Sequence, residues 1–88
     1  SFKEVIEKGI IKDPELQRAL ETLKNALNNL GQVFEAKGAY ELSWRAYYAS
    51  SNIAPDPVTN PLGHAGQKRY FEKIRKLRES IESERRNQ

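Results

Sequence analysis

The stretch Leu30-Gly31-Gln32-Val33-Phe34-Glu35-Ala36-Lys37-Gly38-Ala39-Tyr40 decides the fold. Leading into it, Leu16, Leu20, Leu23, Leu27, Leu30 and Phe34 step by four and three, while Ala19, Ala26 and Val33 recur every seven. That spacing predicts one long amphipathic helix with a broad apolar face. A glycine inside a helix costs about 1 kcal/mol relative to alanine, so Gly31 marks a place where another backbone is expected to come close. Gly38 is suited to a left-handed cap that reverses the chain within two residues. After it, Ser43 and Ser50 supply a small surface against which Gly31 can pack, and Phe34 and Tyr47 can fill the wedge beside it.

Outward from this hairpin the helix grammar continues. Asp13-Pro14-Glu15 combines an N-cap carboxylate, a proline at the first helical position and an acid in the first turn, so the long helix starts there. Before it, Phe2, Val5, Ile6 and Ile10 suggest a short N-terminal helix over 1–12 that ends near Gly9. The second helix, from Ala39 to about Ile53, carries two stripes. One is Tyr40, Trp44, Tyr47 and Ser51, the other Leu42, Ala46, Ala49 and Ile53, so this helix should lie between neighbours. Pro55, Pro57 and Pro61 predict a stiff loop through 58–64, and a last helix over 65–86 follows from Tyr70, Ile74, Leu77 and Ile81. Nothing alternates with period two. The expectation is an all-α fold of three main helices plus the short first one, in a single domain over 1–88 with the hairpin in 13–57.

From Lys24 to Pro57 the residues resemble a tetratricopeptide repeat, a helix-turn-helix unit of 34 residues. Leu27, Leu30, Gly31, Phe34, Gly38, Tyr40, Ser43, Tyr47, Ser50 and Pro55 carry the resemblance. Leu27 stands where tryptophan is commonest in the family, and Ser43 and Ser50 where alanine is. The pattern does not extend upstream or downstream in the same register, so the flanking helices would act as caps. The resemblance implies a module that binds a peptide or a helix of a protein partner along its first-helix surface, as an adaptor or regulatory part of a larger protein. The residues it assigns to that surface are Asn25, Asn28, Gln32 and Glu35, a polar ladder expected to lie opposite the apolar stripe. The chaperone-tail clamp of some members needs lysine and asparagine where this chain has Asn28 and Gln32, so that specialisation is not expected. Gln67-Lys68-Arg69-Tyr70-Phe71-Glu72 also resembles the capping helix of the peptide-substrate domain in collagen prolyl hydroxylases. That likeness would make Tyr40, Tyr47, Tyr48 and Tyr70 contacts for a proline-rich chain.

Composition bounds the remaining classes. The 88 residues are 38% hydrophobic and 31% charged, the profile of an ordinary folded domain. Without cysteine there is no disulfide, thiolate metal site or cysteine nucleophile. The uncharged run Ala46 to Pro55 is half of what a bilayer needs, so no membrane partner is expected. The lack of cysteine and of a signal segment suggests an intracellular, cytoplasmic protein, and the lack of methionine suggests a piece of a longer chain. The net charge of +3 arises in the last third, where Lys68, Arg69, Lys73, Arg75, Lys76 and Arg78 form the basic cluster. Interspersed glutamates favour a solvated face, with nucleic-acid or acidic-surface binding as the alternative reading and self-association through the second flank of the middle helix as another. His64, alone in its loop, has nothing nearby in sequence to orient it, and no phosphate loop or metal-ligand spacing is present. Neither catalysis nor a cofactor nor a metal is expected.

Overall fold

The computed structural model describes residues 12–87, so the short helix expected over 1–12 lies outside the described residues apart from its last position. The architecture is all-α. Helix α1 runs Pro14–Ala36, α2 Tyr40–Ile53 and α3 Pro61–Arg86, with no strand among the described residues.

Each end of α1 is made by the residues that announce it. Asp13 Oδ1 accepts from the Glu15 amide at 2.9 Å, and Pro14 takes the first position, where no amide is needed. At the other end Gly38 has φ +79°, which frees Gly38 N to donate to Glu35 O at 3.1 Å and Ala39 N to donate to Phe34 O at 2.9 Å. This is the two-bond cap that only a residue tolerant of left-handed backbone forms cheaply. The chain then turns back into α2.

The start of α3 differs from the expectation. The loop does not run through 58–64, because the helix begins at Pro61 and takes in Gly63 and His64. Pro61 fills the first helical position, as Pro14 does in α1, and Asn60 Oδ1 caps the turn by accepting from Gly63 N at 3.2 Å. The connection is therefore shorter. It is tied by Asp56, whose carbonyl accepts from Asn60 N at 2.8 Å and whose carboxylate accepts from Val58 N at 2.8 Å.

Helix α2 lies between the other two and antiparallel to both, as its two stripes require. Its Tyr47 is 1% exposed. The ring sits between Gly31 of α1 and Gly66 of α3: a Cβ on Gly31 would come within 2.8 Å of the ring, and one on Gly66 closer still. Ser43 Oγ donates to the Gly31 carbonyl at 2.9 Å, so the close approach expected at that glycine is present. Trp44 packs on the other helix, with ring centroids 5.5 Å from Tyr70 and 6.3 Å from Phe71.

Burial on α1 is not where its apolar pattern alone would put it. The buried line is Leu20, Lys24, Asn28 and Gly31, with Leu27 and Phe34 half-buried, while Leu16, Leu23, Leu30 and Val33 stay exposed. The apolar arc is wider than the contact that α2 and α3 make with it.

Candidate binding surface

The three helices are joined by a buried polar node. Asn28 of α1 donates from Nδ2 to Asn60 Oδ1 at 2.8 Å, and Asn60 Nδ2 donates to Ser50 Oγ at 3.2 Å and to Ala54 O at 3.1 Å. Ser50 Oγ in turn donates to Tyr47 O at 2.8 Å. One asparagine thus caps α3 and holds it to the end of α2 and the middle of α1. Asn28 is 2% exposed, which corrects its placement on a free polar ladder: its Nδ2 is used inside the fold, and its buried Oδ1 has no partner among the described residues.

Glu35 is also engaged. Its carboxylate accepts two bonds from Arg69 of α3, from Nε at 2.7 Å and Nη2 at 2.9 Å, and a third from the Tyr47 hydroxyl at 3.0 Å. The Arg69 guanidinium holds the Glu35 carboxyl below the usual glutamate range despite some loss of solvent. Burial, and then the bond to Glu35, pushes the Tyr47 phenol up, and Arg69 is held protonated more firmly than usual by its bond to Glu35. The pair closes the end of the hairpin.

Of the four expected contact residues, Asn25 and Gln32 remain exposed. Seven residues apart, they lie on one line of α1, turned away from the Leu20 and Gly31 side that meets the other helices. On α3 a shallow groove is lined by Ala65, Lys68, Arg69, Glu72, Lys73 and Lys76. Lys73 also lies over the Tyr40 ring, 4.3 Å from its centroid. The basic cluster is divided by the helix: Lys68, Arg69, Lys73 and Lys76 line this groove, whereas Arg75 is held by Glu72 and Glu79 at 2.7 and 2.8 Å, and Arg78 lies on another face with Ile74, Leu77 and Ile81. Arg75 also holds the Glu72 carboxyl below its usual range.

The tyrosines part company as well. Tyr47 is core, Tyr70 stacks on Trp44, and only Tyr40 and Tyr48 present much surface, 42% and 49%. His64 is exposed in the first turn of α3. No group of three metal-ligating side chains converges among the described residues, and no described helix is long and apolar enough to cross a membrane.

Sequence reading missed Asn60, Gly63 and Gly66, although the signals were there. Asn60-Pro61 repeats the grammar of Asp13-Pro14, and two glycines three apart mark one helix face that another element approaches. The density of prolines around Asn60 hid both. Comparison with protein-family models, with curated proteins and with solved structures finds no match to this chain.

Proposed function

We propose that this chain is a protein-recognition module of the tetratricopeptide type, a binding part of a larger protein and not an enzyme, with its contact surface on the side of α1 and α3 that turns away from α2. The observation that carries this reading is the Glu35–Arg69 pair, which joins the first and third helices directly at 2.7 Å across 34 residues of sequence. Helices α1 and α3 run parallel, and a 34-residue offset between lateral neighbours is what successive units of such a repeat produce. In this reading α3 stands where the first helix of a following unit would stand. The glycine-against-tyrosine packing between α1 and α2 supports the same hairpin.

The surface offers carboxamides on α1, at Asn25 and Gln32, and cations on α3, at Lys68, Lys73 and Lys76. Carboxamides can hold an extended backbone through paired donors and acceptors, and the lysines select acidic side chains beside it. Arg69 is committed to Glu35 and serves as a wall. The partner is therefore an acidic peptide or helix.

Fluorescence anisotropy with labelled glutamate-rich and lysine-rich decapeptides tests this. The glutamate-rich peptide should bind preferentially, and Gln32→Ala together with Lys68→Ala should weaken it several-fold with the melting temperature unchanged. Equal binding of both peptides, or indifference to the substitutions, would refute the proposal. A single-stranded oligonucleotide that outcompetes the acidic peptide, with steep loss on adding salt, would instead move the groove to nucleic-acid binding. Tyr70 and Phe71 count against that outcome, since they are engaged with Trp44 and leave Tyr40, against Lys73, as the aromatic in contact with a groove lysine.

A further inference from the structure

The most regular pattern in the molecule is on the side of α1 that α2 and α3 leave uncovered. Leu16, Leu23 and Leu30 recur every seven residues, and Ala19, Ala26 and Val33 follow each of them by three. All six are exposed, the four larger ones between 44% and 50%. This is an a/d seam three heptads long, spanning about 26 Å of helix.

We infer that this seam pairs with the same seam of a second copy, the two α1 helices running antiparallel. The first reason is shape. When α1 is turned end for end on itself, Leu16 meets Val33 of the second copy, Ala19 meets Leu30, and Leu23 meets Ala26, so each large side chain faces a smaller one. A seam of equal leucines would not have this property. The alanines also let the two backbones approach closely, which a leucine at every position would prevent.

Charge is the second reason. The positions that border the seam on its open side are Glu15, Thr22, Asn29 and Ala36. In the antiparallel pairing Thr22 faces Asn29 and Glu15 faces Ala36, so no like charges meet within the helix, and the same register sets Lys12 opposite Lys37 only beyond its ends. The other apolar stripe of the molecule, Ile74, Leu77 and Ile81 on α3, fails the same test. It is bordered by Arg78, Glu82 and Arg85, and an antiparallel second copy that sets Leu77 against Ile81 would bring Arg78 against Arg78. The neutral seam suits a second copy and the basic-edged stripe does not.

Six side chains from each protomer make a contact smaller than the roughly 800 Å² per partner of a standard interface, so the dimer is a weak one, formed at about 100 µM and dissociated at about 1 µM. Sedimentation of the full chain over that range should show the monomer giving way to the dimer. Leu23→Lys should remove the dimer at every concentration while leaving helicity and melting of the monomer unchanged. The chain has no cysteine, so introduced thiols report orientation directly. Leu16→Cys mixed with Val33→Cys should form a mixed disulfide, and Leu16→Cys alone should not, because the two thiols would stand about 26 Å apart along an antiparallel pair.

Three results would overturn the inference. One is a full chain that stays monomeric at about 500 µM, which would mean that the seam is covered by the chain's own residues or by another protein. Another is a dimer that survives Leu23→Lys. The third is self-linking of Leu16→Cys, which would make the pairing parallel. Should Leu23→Lys fail to fold, the cross-linking pair still decides the question.

Discussion

The two halves of α3 are one continuous helix with opposite relations to the rest of the molecule. From Asn60 to Tyr70 it is built into the fold: Asn60 is 2% exposed, Gly63 and Gly66 are buried, and Tyr70 stacks on Trp44. From Phe71 to Arg86 every residue is exposed. The sequence does not mark this change, because Ile74, Leu77 and Ile81 continue the same step of four and three. What changes is the supply of neighbours. Helix α2 has 14 residues against the 26 of α3, and since they run antiparallel, its first residue, Tyr40, already faces Lys73. Beyond that point α3 extends about 20 Å past the other described helices. An apolar stripe predicts that burial would be favourable, and length decides whether a partner is there.

Substitutions along α3 test this contrast, and the largest effect is expected at its buried start. Asn60→Ala removes the cap and leaves the buried Asn28 Nδ2 without its acceptor and the Ala54 carbonyl without its donor, so urea denaturation should show a loss of about 2–3 kcal/mol. A loss below about 0.5 kcal/mol would mean that the node does not hold the helices together. Nearer the end of the built-in half of α3, removing the partner that α1 offers Arg69 by Glu35→Gln should cost about 0.5–1 kcal/mol at pH 7, a figure held down by solvent screening because the Arg69 side chain is half exposed, 49%. The sign of the pH effect follows from the lowered Glu35 value. The stabilisation is fully present above the ordinary glutamate value of about 4.3 and is lost as pH falls through the depressed one. Wild type and Glu35→Gln should therefore converge in acid, and a gap that persists at about pH 2 would show that the carboxylate is not its source. In the free half, Leu77→Ser should change stability by less than about 0.5 kcal/mol. A larger loss there would reveal a partner for that stripe within the molecule or its assembly.

Much of the hairpin was legible in the residues themselves. Asp13-Pro14, Gly38 and the spacing from Leu16 to Phe34 set the bounds of α1, because caps and turns are local chemistry that two to four residues complete. Gly31 pointed to a close approach because a helix-interior glycine has a cost that some contact must offset. The start of α3 was less legible: Asn60 and Pro61 obey the same rule as Asp13 and Pro14, but three nearby prolines also fit an extended loop. The polar ladder on α1 was legible as a spacing but not as one exposed face. Asn25, Asn28, Gln32 and Glu35 share a polar spacing, yet Asn28 and Glu35 turn toward α3 and Asn25 and Gln32 away from it. About 60° of helix separates the two pairs, and no property of an asparagine or a glutamate says on which side of that angle a neighbouring helix will lie.

The residues alone determined where helices begin, end and reverse, since each of those decisions is made by groups within a few positions of one another. Only the tertiary arrangement decided which half of the α1 apolar arc is covered, which polar side chains are consumed in joining helices, and how far α3 outruns α2. Those outcomes depend on which surfaces meet across a gap of some thirty residues, and the free energy of burial depends on the neighbour that arrives as much as on the side chain that waits for it.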